Sequence, residues 1–501
     1  MKITRRILGA LILAVTISHG AFSQPVNPGF PADFEDLKAP IPFDSLVELM
    51  AWADTKDHIT VTEAGKSGEG RPLFLVHLNR GGESAPWRVL FIGAQHGDEA
   101  AGRDALTYMI RSIAQNPKSL PRNVDLWIMP NVNPDGAVAD RRTNSLRADM
   151  NRDHRLLEQV EVQTIHDVAR RLQPHVSVDC HEFARDSRDY KDKGWDEWPI
   201  IMMDTAANPI YGRANYEAGM RWIEGAHPAM KKKGINYVRY NLGGPPPHEE
   251  QRYSTLEPDD ARNGLAMYGG LSFIIESGVK RADPNGDLPR RIEAYHVLLN
   301  RFLTHSEDFR RDIRMIAESR KAPLPEFIAT NYFWGTATDV RTVEYPVIDT
   351  ATQKELIIRT GNFHQDRIIK DVVAAPRAYV IAAQHAELYG ALLTRHGIPF
   401  EVLDAEKEIV AEQCTLDAVE PAEDPIYNRF SGRQIVSRED AKPHTFAAGS
   451  LVVRLDPPYA RRAVLAIEPC LLYGLYKDAA YFETVDKETK VIPVYRVMEG
   501  K

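Results

Sequence analysis

A histidine and a glutamate stand three positions apart where an apolar run gives way to a helical pattern. His96 and Glu99 follow residues 89–92, a run typical of a buried strand, and surround the start of the helix-like residues 100–114. At this spacing an imidazole nitrogen and a carboxylate oxygen can converge on one metal ion. Zinc accepts both kinds of ligand, and its catalytic sites use three protein ligands and leave one position open. The pair therefore predicts part of a zinc site, for which another segment must supply the third ligand.

Two further residues with suitable chemistry also follow strand-like runs. His181 comes after residues 176–178 and would complete a set of two histidines and one carboxylate. Glu276 follows residues 271–275, and its carboxylate could take the proton of a water that zinc has made acidic. Each residue alone would be ordinary, because a single histidine at a strand end is most often structural. Functional residues of α/β sheets gather at the carboxyl ends of strands, so the shared placement indicates one site.

A polar segment between these residues offers groups that could bind a substrate carboxylate. Residues 133–136, Asn-Pro-Asp-Gly, are a strong turn signal. They are followed by Asp-Met-Asn-Arg at residues 149–152. The arginine fork of Arg152 beside the amide of Asn151 can hold a carboxylate through several directed hydrogen bonds. Such charge density is also common in solvated loops, so the run gains its meaning from the other motifs.

Together these motifs resemble those of the zinc carboxypeptidase family, the carboxypeptidase A-like peptidases also called M14. The matching motifs are His96-Gly97-Asp98-Glu99, Asn133-Pro134-Asp135-Gly136, Asp149-Met150-Asn151-Arg152, Cys180-His181 and Glu276. The histidine–glutamate pair alone would not be specific, but the order and spacing of the whole set are. On this basis we expect an exported bacterial member of the family with an extra C-terminal domain.

The resemblance implies a fold and a metal site. The fold would be α/β, with three α/β/α layers around a mixed, mainly eight-stranded sheet. One Zn²⁺ per chain would be held by His96, Glu99 and His181. By the same match Glu276 would be the general base and acid, and Asp149 would accept a hydrogen bond from the outer ring nitrogen of His96.

The resemblance also implies how a substrate would be held. Asn151 and Arg152 would bind the free C-terminal carboxylate of a peptide. Arg142, nine positions before Asn151 as in bacterial members, would polarise the scissile carbonyl and stabilise the oxyanion. Arg141 and Arg147 are alternatives for that role.

The match is weakest in the segment that would cover the substrate. The family has a mobile tyrosine upstream of its catalytic glutamate, and Tyr253 is the nearest candidate here, with Tyr268 second. Tyr253 lies in a polar loop that would be either a lid or a surface excursion. The residue that sets side-chain preference should lie between Tyr253 and Glu276, where the polar candidates are Asp259, Asp260, Arg262 and Asn263. The preferred C-terminal residue therefore stays open.

The implied function is hydrolysis of the C-terminal peptide or amide bond of peptides by zinc-activated water and a glutamate base. Aspartoacylase-like and succinylglutamate desuccinylase-like zinc deacylases share the histidine–glutamate pair, the Asp-x-Asn-Arg run and the later histidine. The Asn-Pro-Asp-Gly turn and the export signal favour a peptidase. A cell-wall peptide hydrolase is a further alternative.

The N-terminus and the overall charge indicate where the protein acts. Basic residues 2, 5 and 6, the apolar residues 7–17 and a small-x-small site at 21–23 predict a signal peptide over residues 1–23. The apolar run is shorter than the roughly 20 residues that a membrane span needs. We therefore expect a periplasmic or secreted protein without a membrane span after cleavage. A formal net charge of −8 gives no reason to expect nucleic acid as a partner, and the oligomeric state is open.

Alternating strand-like and helical patterns assign residues 24–325 to the catalytic domain. Residues 330–501 are predicted to form a smaller α/β or α+β domain of unknown role. Within the first domain, residues 156–172 have helical spacing with Val160 among the inward positions. Cys414 and Cys470 could pair in an exported protein, which the sequence alone does not decide.

Overall fold

The computed structural model describes residues 29–81, 86–336, 342–421 and 432–498. The predicted signal peptide, residues 1–23, lies outside the described residues. The apolar runs of the first half become strands, each joined to the next by helices or loops. In chain order the strands are β1 (Ile59–Lys66), β2 (Pro72–Leu78), β3 (Trp87–Gly93), β4 (Val124–Met129), β5 (Val176–Ala184), β6 (Trp195–Glu197), β7 (Ile201–Thr205), β8 (Tyr237–Arg239), β9 (Asn241–Gly243), β10 (Gln251–Tyr253), β11 (Leu271–Val279), β12 (Phe327–Gly335), β13 (Val343–Asp349), β14 (Glu355–Thr360), β15 (Phe363–His364), β16 (Asp366–Ala374), β17 (Ala378–Ile381), β18 (Glu401–Val402), β19 (Lys407–Ala411), β20 (Cys414–Pro421), β21 (Gly432–Arg438), β22 (Lys442–Phe446), β23 (Leu451–Arg454) and β24 (Val494–Val497).

The helices pack on both sides of these strands. In chain order they are α1 (Phe43–Ala53), α2 (Ala100–Gln115), α3 (Pro134–Val138), α4 (Val160–Leu172), α5 (Arg188–Lys191), α6 (Arg213–Glu224), α7 (His227–Lys232), α8 (Ala261–Ala266), α9 (Leu288–Thr304), α10 (Ser306–Lys321), α11 (Ala386–His396), α12 (Ala460–Ile467) and α13 (Ala479–Phe482). Within the described residues, none of them combines the length and apolarity that crossing a membrane requires.

The central sheet has eight strands in the order β1–β2–β4–β3–β5–β11–β7–β8. Its middle is parallel, because β3 pairs in parallel with β4 and β5, and β5 with β11. β7 runs antiparallel to β11, and β1 and β2 form an antiparallel edge. The predicted α/β fold with a mixed eight-stranded sheet is therefore confirmed.

Strand β3 shows why helices cover both faces of this sheet. Val89 and Phe91 are buried in one core with α1, α2 and α9, whereas Leu90 and Ile92 are buried in a second core with α4. Successive side chains of a strand point to opposite faces, so four consecutive apolar residues require an apolar partner on each side. The second core also contains side chains of α11 and α12, so C-terminal residues share the core that covers this face of the sheet.

Beyond α10 the chain forms additional β sheets. The largest has four strands in the order β18–β23–β17–β24. Two other strands of this region join strands from the first half, since β13 pairs with β6 and β15 pairs with β10. The division into domains at residues 24–325 and 330–501 stays a prediction.

Two local predictions can be compared with the structure. The helix predicted over residues 156–172 begins only at Val160, because Leu157 has a positive φ of 54° and residue Gln159 is extended. Val160 is 47% exposed, so its predicted inward position was wrong. Cys414 and Cys470 are free thiols whose sulfur atoms lie 3.8 Å apart.

Candidate active site

The turn after β3 and the neighbouring strand β5 bring the predicted zinc ligands together. His96 lies in the turn between β3 and α2, and Glu99 is the residue immediately before α2. His181 lies in β5, the parallel neighbour of β3. The turn is tightly packed, since a Cβ on Gly97 would come within 2.1 Å of the carbonyl carbon of Gly136. Only glycine fits at position 97, and it lets the two turn motifs touch.

The two imidazole rings and the carboxylate of Glu99 converge on one point. Nδ1 of His96 lies 2.7 Å from one carboxylate oxygen of Glu99, and Nδ1 of His181 lies 2.8 Å from the other. The two Nδ1 atoms are 3.0 Å apart, and all three side chains are buried. A shared metal ion requires histidine, cysteine or acidic side chains whose ligand atoms lie close to one another. Among the described residues, these three form the group that meets this condition.

The outer ring nitrogens determine which tautomer faces this point. Nε2 of His96 lies 3.1 Å from Asp149, and Nε2 of His181 lies 2.6 Å from Asp179. Because a carboxylate accepts hydrogen bonds, Nε2 carries the hydrogen and the lone pair of Nδ1 points inward in both rings. Two lone pairs and a carboxylate thus meet with no donor between them. This donor set fits a cation, and its two nitrogens and one carboxylate are the ligand types of a catalytic Zn²⁺ site.

The pKa values of the ligands point the same way. Burial alone would raise the pKa of Glu99, but His96 and His181 hold it well below its usual range. Burial alone would lower the pKa of His181, but Asp179 and Glu99 raise it well above its usual range. The cluster therefore attracts positive charge to its centre.

Arg142 and Asp149 lie beside the ligands. Asp149 accepts hydrogen bonds from Nε2 of His96 and from Nε of Arg142, the latter at 3.0 Å. Nη1 of Arg142 lies 3.4 Å from Glu99, and its side chain is 44% exposed, so the guanidinium also faces solvent. Arg141 turns away and donates to carbonyl oxygens of its own loop. Arg142 is thus the arginine of this loop that the structure brings to the ligand cluster.

Asn151 and Arg152 follow in a short 3₁₀ turn. Asn151 is buried, its Oδ1 accepts from the backbone N–H of Ala261, and its Nδ2 lies 3.2 Å from Nε2 of His181. Nη1 of Arg152 donates to the backbone oxygen of Asn151 at 2.7 Å. The Arg152 side chain also lines a large cavity. Asn151 therefore contacts a residue of the ligand cluster, and Arg152 beside it reaches the cavity.

Glu276 lies on β11 directly opposite His181. Burial raises the pKa of its carboxyl group to about 7, with Glu99 adding to the rise and both histidine ligands opposing it. Tyr240, which follows β8, donates a hydrogen bond from its hydroxyl group to this carboxylate. No sequence motif marks Tyr240, so sequence reasoning missed it.

The cavity beside these residues has a volume of about 1320 Å³. Arg152, Tyr240 and Glu197 are among the residues that line it. Burial, with a contribution from the charge of Glu276, raises the pKa of Glu197 to about 8. Trp334 and Tyr473 also line the cavity, so residues beyond the predicted catalytic domain help to enclose the space.

The two predicted candidates for a mobile tyrosine are both packed. Tyr253 lies in β10 under the guanidinium of Arg239, 3.6 Å from its ring centre, and its ring contacts Trp334 and Phe363. It is not among the described residues that line the cavity, although its neighbour in the chain is. Tyr268 is buried, and its hydroxyl group bonds to a histidine of the interior.

The four predicted specificity candidates have different surroundings. Asp259 lines the cavity. Asp260 caps the first turn of α8 by accepting from the backbone N–H of Asn263. Arg262 is 1% exposed and forms ion pairs with Asp260 at 2.9 Å and with Asp204 at 3.5 Å. Asp259 is therefore the member of this group that the structure places at the cavity surface.

Comparison with known proteins identifies the family. A model of the zinc carboxypeptidase family matches residues 48–186. Carboxypeptidase 2 of Trichophyton equinum is 32% identical over 447 residues, which cover 81% of this chain and 77% of that protein. The chain belongs to the zinc carboxypeptidase family.

A second fungal protein and a solved structure are also similar to this chain. A probable carboxypeptidase 2 of Arthroderma benhamiae is 32% identical over 463 residues, covering 82% of this chain and 81% of that protein. A crystal structure of a metallo-carboxypeptidase from Burkholderia cenocepacia covers 54% of this chain and 70% of its own, with 19% identity and a TM-score of 0.44. Because more than four fifths of this zinc carboxypeptidase aligns with the fungal proteins, the alignments include part of the C-terminal region.

As a member of this family, the protein is a zinc metallocarboxypeptidase, a hydrolase that acts on peptides. His96, Glu99 and His181 form the zinc site typical of zinc carboxypeptidases, so the predicted ligand set is confirmed. The roles predicted for Glu276, Arg142, Asn151, Arg152, Asp149 and Tyr253 stay predictions.

Proposed function

We propose that the protein removes the last residue of peptides by recognising their free C-terminal carboxylate. The observation that supports this proposal is Arg152, whose side chain lines the cavity while its neighbour Asn151 lies against the zinc ligand His181. A guanidinium fork and an amide can bind both oxygens of a carboxylate. A peptide held there would place its last peptide bond beside the ligand cluster.

The hydrolysis itself would involve bound zinc, Glu276 and Arg142. Bound zinc would supply Lewis acidity for the scissile carbonyl group and for the attacking water. Glu276 takes the proton of that water and passes it to the leaving amine, and a pKa raised to about 7 by burial suits both transfers near neutral pH. The exposed side of Arg142 donates hydrogen bonds to the carbonyl oxygen as negative charge develops on it.

Arg152→Met tests carboxylate recognition. We expect the wild type to cleave a peptide with a free C-terminus and to cleave its C-terminally amidated analogue far more slowly. Loss of the charged hydrogen bonds should lower kcat/KM of Arg152→Met roughly 100-fold on the free peptide and should remove most of this discrimination. Release of the last amino acid, measured by chromatography, gives both rates.

Arg171→Met is the matched control, because Arg171 lies exposed on α4 and donates to a backbone oxygen of its own helix. It should cleave both peptides like the wild type. Equal cleavage of free and amidated peptides by the wild type would contradict the proposal. Hydrolysis of N-acyl amino acids but not of peptides would favour a zinc deacylase instead.

We also propose that the protein is exported, and that its source is bacterial. The basic residues 2, 5 and 6 followed by the apolar residues 7–17 support export. N-terminal sequencing of the protein isolated from the periplasm or medium of expressing cells should give Gln24 as the first residue. Full-length protein retained in the cytosol would contradict the proposal.

A further inference from the structure

A row of buried polar side chains leads from a zinc ligand into the second core. Each member is hydrogen-bonded to the next, and none is more than 4% exposed. Starting at the zinc ligand, the members are His181, Asp179, Gln95, His154, His166 and Tyr268, with successive distances of 2.6, 2.6, 2.8, 2.9 and 2.9 Å. We call these six residues the buried polar row.

The inner part of the row fixes the carboxylate that orients His181. Oδ2 of Asp179 accepts from Nε2 of His181 and from the amide nitrogen of Gln95. Within the described residues, Oδ1 of Asp179 has no hydrogen-bond partner. Gln95 is therefore the side chain, besides the zinc ligand itself, that holds Asp179 in place.

In the outer part of the row, every hydrogen bond runs from donor to acceptor in the same direction along the row. The oxygen of Gln95 faces Nε2 of His154, so this nitrogen is the donor and Nδ1 of His154 accepts from Nε2 of His166. Nδ1 of His166 then accepts from the hydroxyl group of Tyr268. Both histidines must be neutral for this pattern, and burial lowers the pKa of His154 to about 4 and that of His166 well below its usual range. Every donor thus points toward Asp179, and aligned hydrogen bonds strengthen one another.

The far end of the row is covered by the C-terminal region. The guanidinium of Arg462, on α12, lies 4.4 Å from the ring centre of Tyr268. His396, at the end of α11, places its ring edge-on to His166 with the ring centres 6.1 Å apart. Nη1 of Arg462 donates to the backbone oxygen of His396 at 2.7 Å, which ties the two contacts together. The C-terminal region therefore packs on the end of a hydrogen-bonded path to the zinc site.

We propose that the buried polar row, packed at its far end by Arg462, is a positioning device that holds His181 in its metal-binding orientation and so sets how tightly the protein retains zinc. Gln95 and Tyr268 act through Asp179 and do not touch the metal or the substrate. The inference concerns the zinc site of the family and is independent of which peptides are cleaved.

The test compares the zinc affinity of three variants of the full chain. Gln95→Met keeps the side-chain volume and removes both hydrogen bonds of the amide. Tyr268→Phe removes only the outermost donor. The control is Tyr379→Phe, which removes a hydroxyl group from the same core. This hydroxyl group donates to Glu468 at 2.7 Å and makes no hydrogen bond to a member of the row. Zinc dissociation constants are measured by competition with a chromogenic chelator, and the thermal midpoint of each metal-free protein reports folding.

Loss of a residue that supports a metal ligand typically weakens metal binding 10- to 100-fold, so we expect about tenfold or more for Gln95→Met and roughly threefold for Tyr268→Phe. Tyr379→Phe should bind zinc within about twofold of the wild type, even if its thermal midpoint is lower. Wild-type zinc affinity in Tyr268→Phe and in folded Gln95→Met would overturn the inference, as would an equal loss in Tyr379→Phe. Should Gln95→Met not fold, Tyr268→Phe decides. Because no peptide is present, the result is separate from that of the carboxylate test.

Discussion

At the scale of single residues, the hydrogen bond from Tyr240 to Glu276 has a kinetic consequence. A hydrogen bond to a charged group contributes about 1.5–3 kcal/mol, and this one holds the carboxylate that would move the proton. We expect Tyr240→Phe to lower kcat roughly tenfold, with a smaller effect on KM, because the contact positions the base and does not bind the peptide C-terminus. Steady-state hydrolysis of a short peptide at several concentrations separates the two constants.

Tyr253→Phe is the matched control for this tyrosine. Its ring packs under Arg239 and against Trp334, and these contacts persist in phenylalanine. We expect its kcat to stay close to that of the wild type. Glu276→Gln, which removes the base itself, should lower kcat far more than either variant. A large loss in Tyr253→Phe with none in Tyr240→Phe would instead support the tyrosine that the sequence predicts.

Residue types and spacing were enough to predict the zinc ligands, since His96 and Glu99 lie on one turn and His181 follows a strand-like apolar run. They were not enough for Tyr240. It follows β8, which is separated from β11 by β7, and no sequence signal reports that strand order. The buried polar row was missed for the same reason, because its members come from five separate segments of the chain.

At the scale of elements, the end of α11 buries a histidine. His396 is completely buried, its Nε2 lies 2.6 Å from the backbone oxygen of Arg155, and within the described residues its Nδ1 has no partner. Burial lowers its pKa to about 3, compared with about 6.5 in an unfolded chain. Between these values the unfolded chain binds the proton and the folded chain does not. Its contribution to stability is therefore complete above pH 6.5 and is lost as the pH falls toward 3.

His396→Gln tests this linkage. The amide nitrogen of glutamine can take the place of Nε2 but does not titrate. Between pH 7 and pH 5, the free energy of unfolding should fall less steeply in the variant than in the wild type, by up to about 1.4 kcal/mol per pH unit. Urea unfolding at several pH values measures the slope. His227→Gln, a change at a partly exposed histidine, is the control, and equal slopes in all three proteins would contradict the expectation.

Elements were predictable where the apolar pattern was strong. β3 and β11 lie close to the apolar runs that predicted them, because strands buried on both faces are nearly continuous in apolar residues. The start of α4 was predicted wrongly, since Leu156 and Val160 have helical spacing but the backbone at Leu157 turns into the left-handed region. Backbone geometry of this kind has no signal in hydrophobic periodicity.

At the scale of the whole molecule, one buried ion pair joins the cavity to the C-terminal region. Lys477 is 2% exposed at its side chain and pairs with Glu257, which lines the cavity, while Asp259 lies 3.8 Å away. Sequence reasoning assigned no role to residues beyond 330, because an ion pair between distant positions leaves no pattern in either segment. The pair indicates that the C-terminal region stabilises the cavity wall as well as covering it.

Lys477→Met tests whether this ion pair stabilises the protein. Removing one partner of a buried ion pair leaves an uncompensated charge, so we expect the free energy of unfolding to fall by about 3–5 kcal/mol. The double variant Lys477→Met/Glu257→Gln removes both charges and should recover most of that loss, whereas independent sites would give additive losses. Urea unfolding of the two single variants and the double variant measures the coupling. Additive losses would show that Glu257 and Lys477 do not depend on each other, and that the cavity wall does not rely on the C-terminal region at this point.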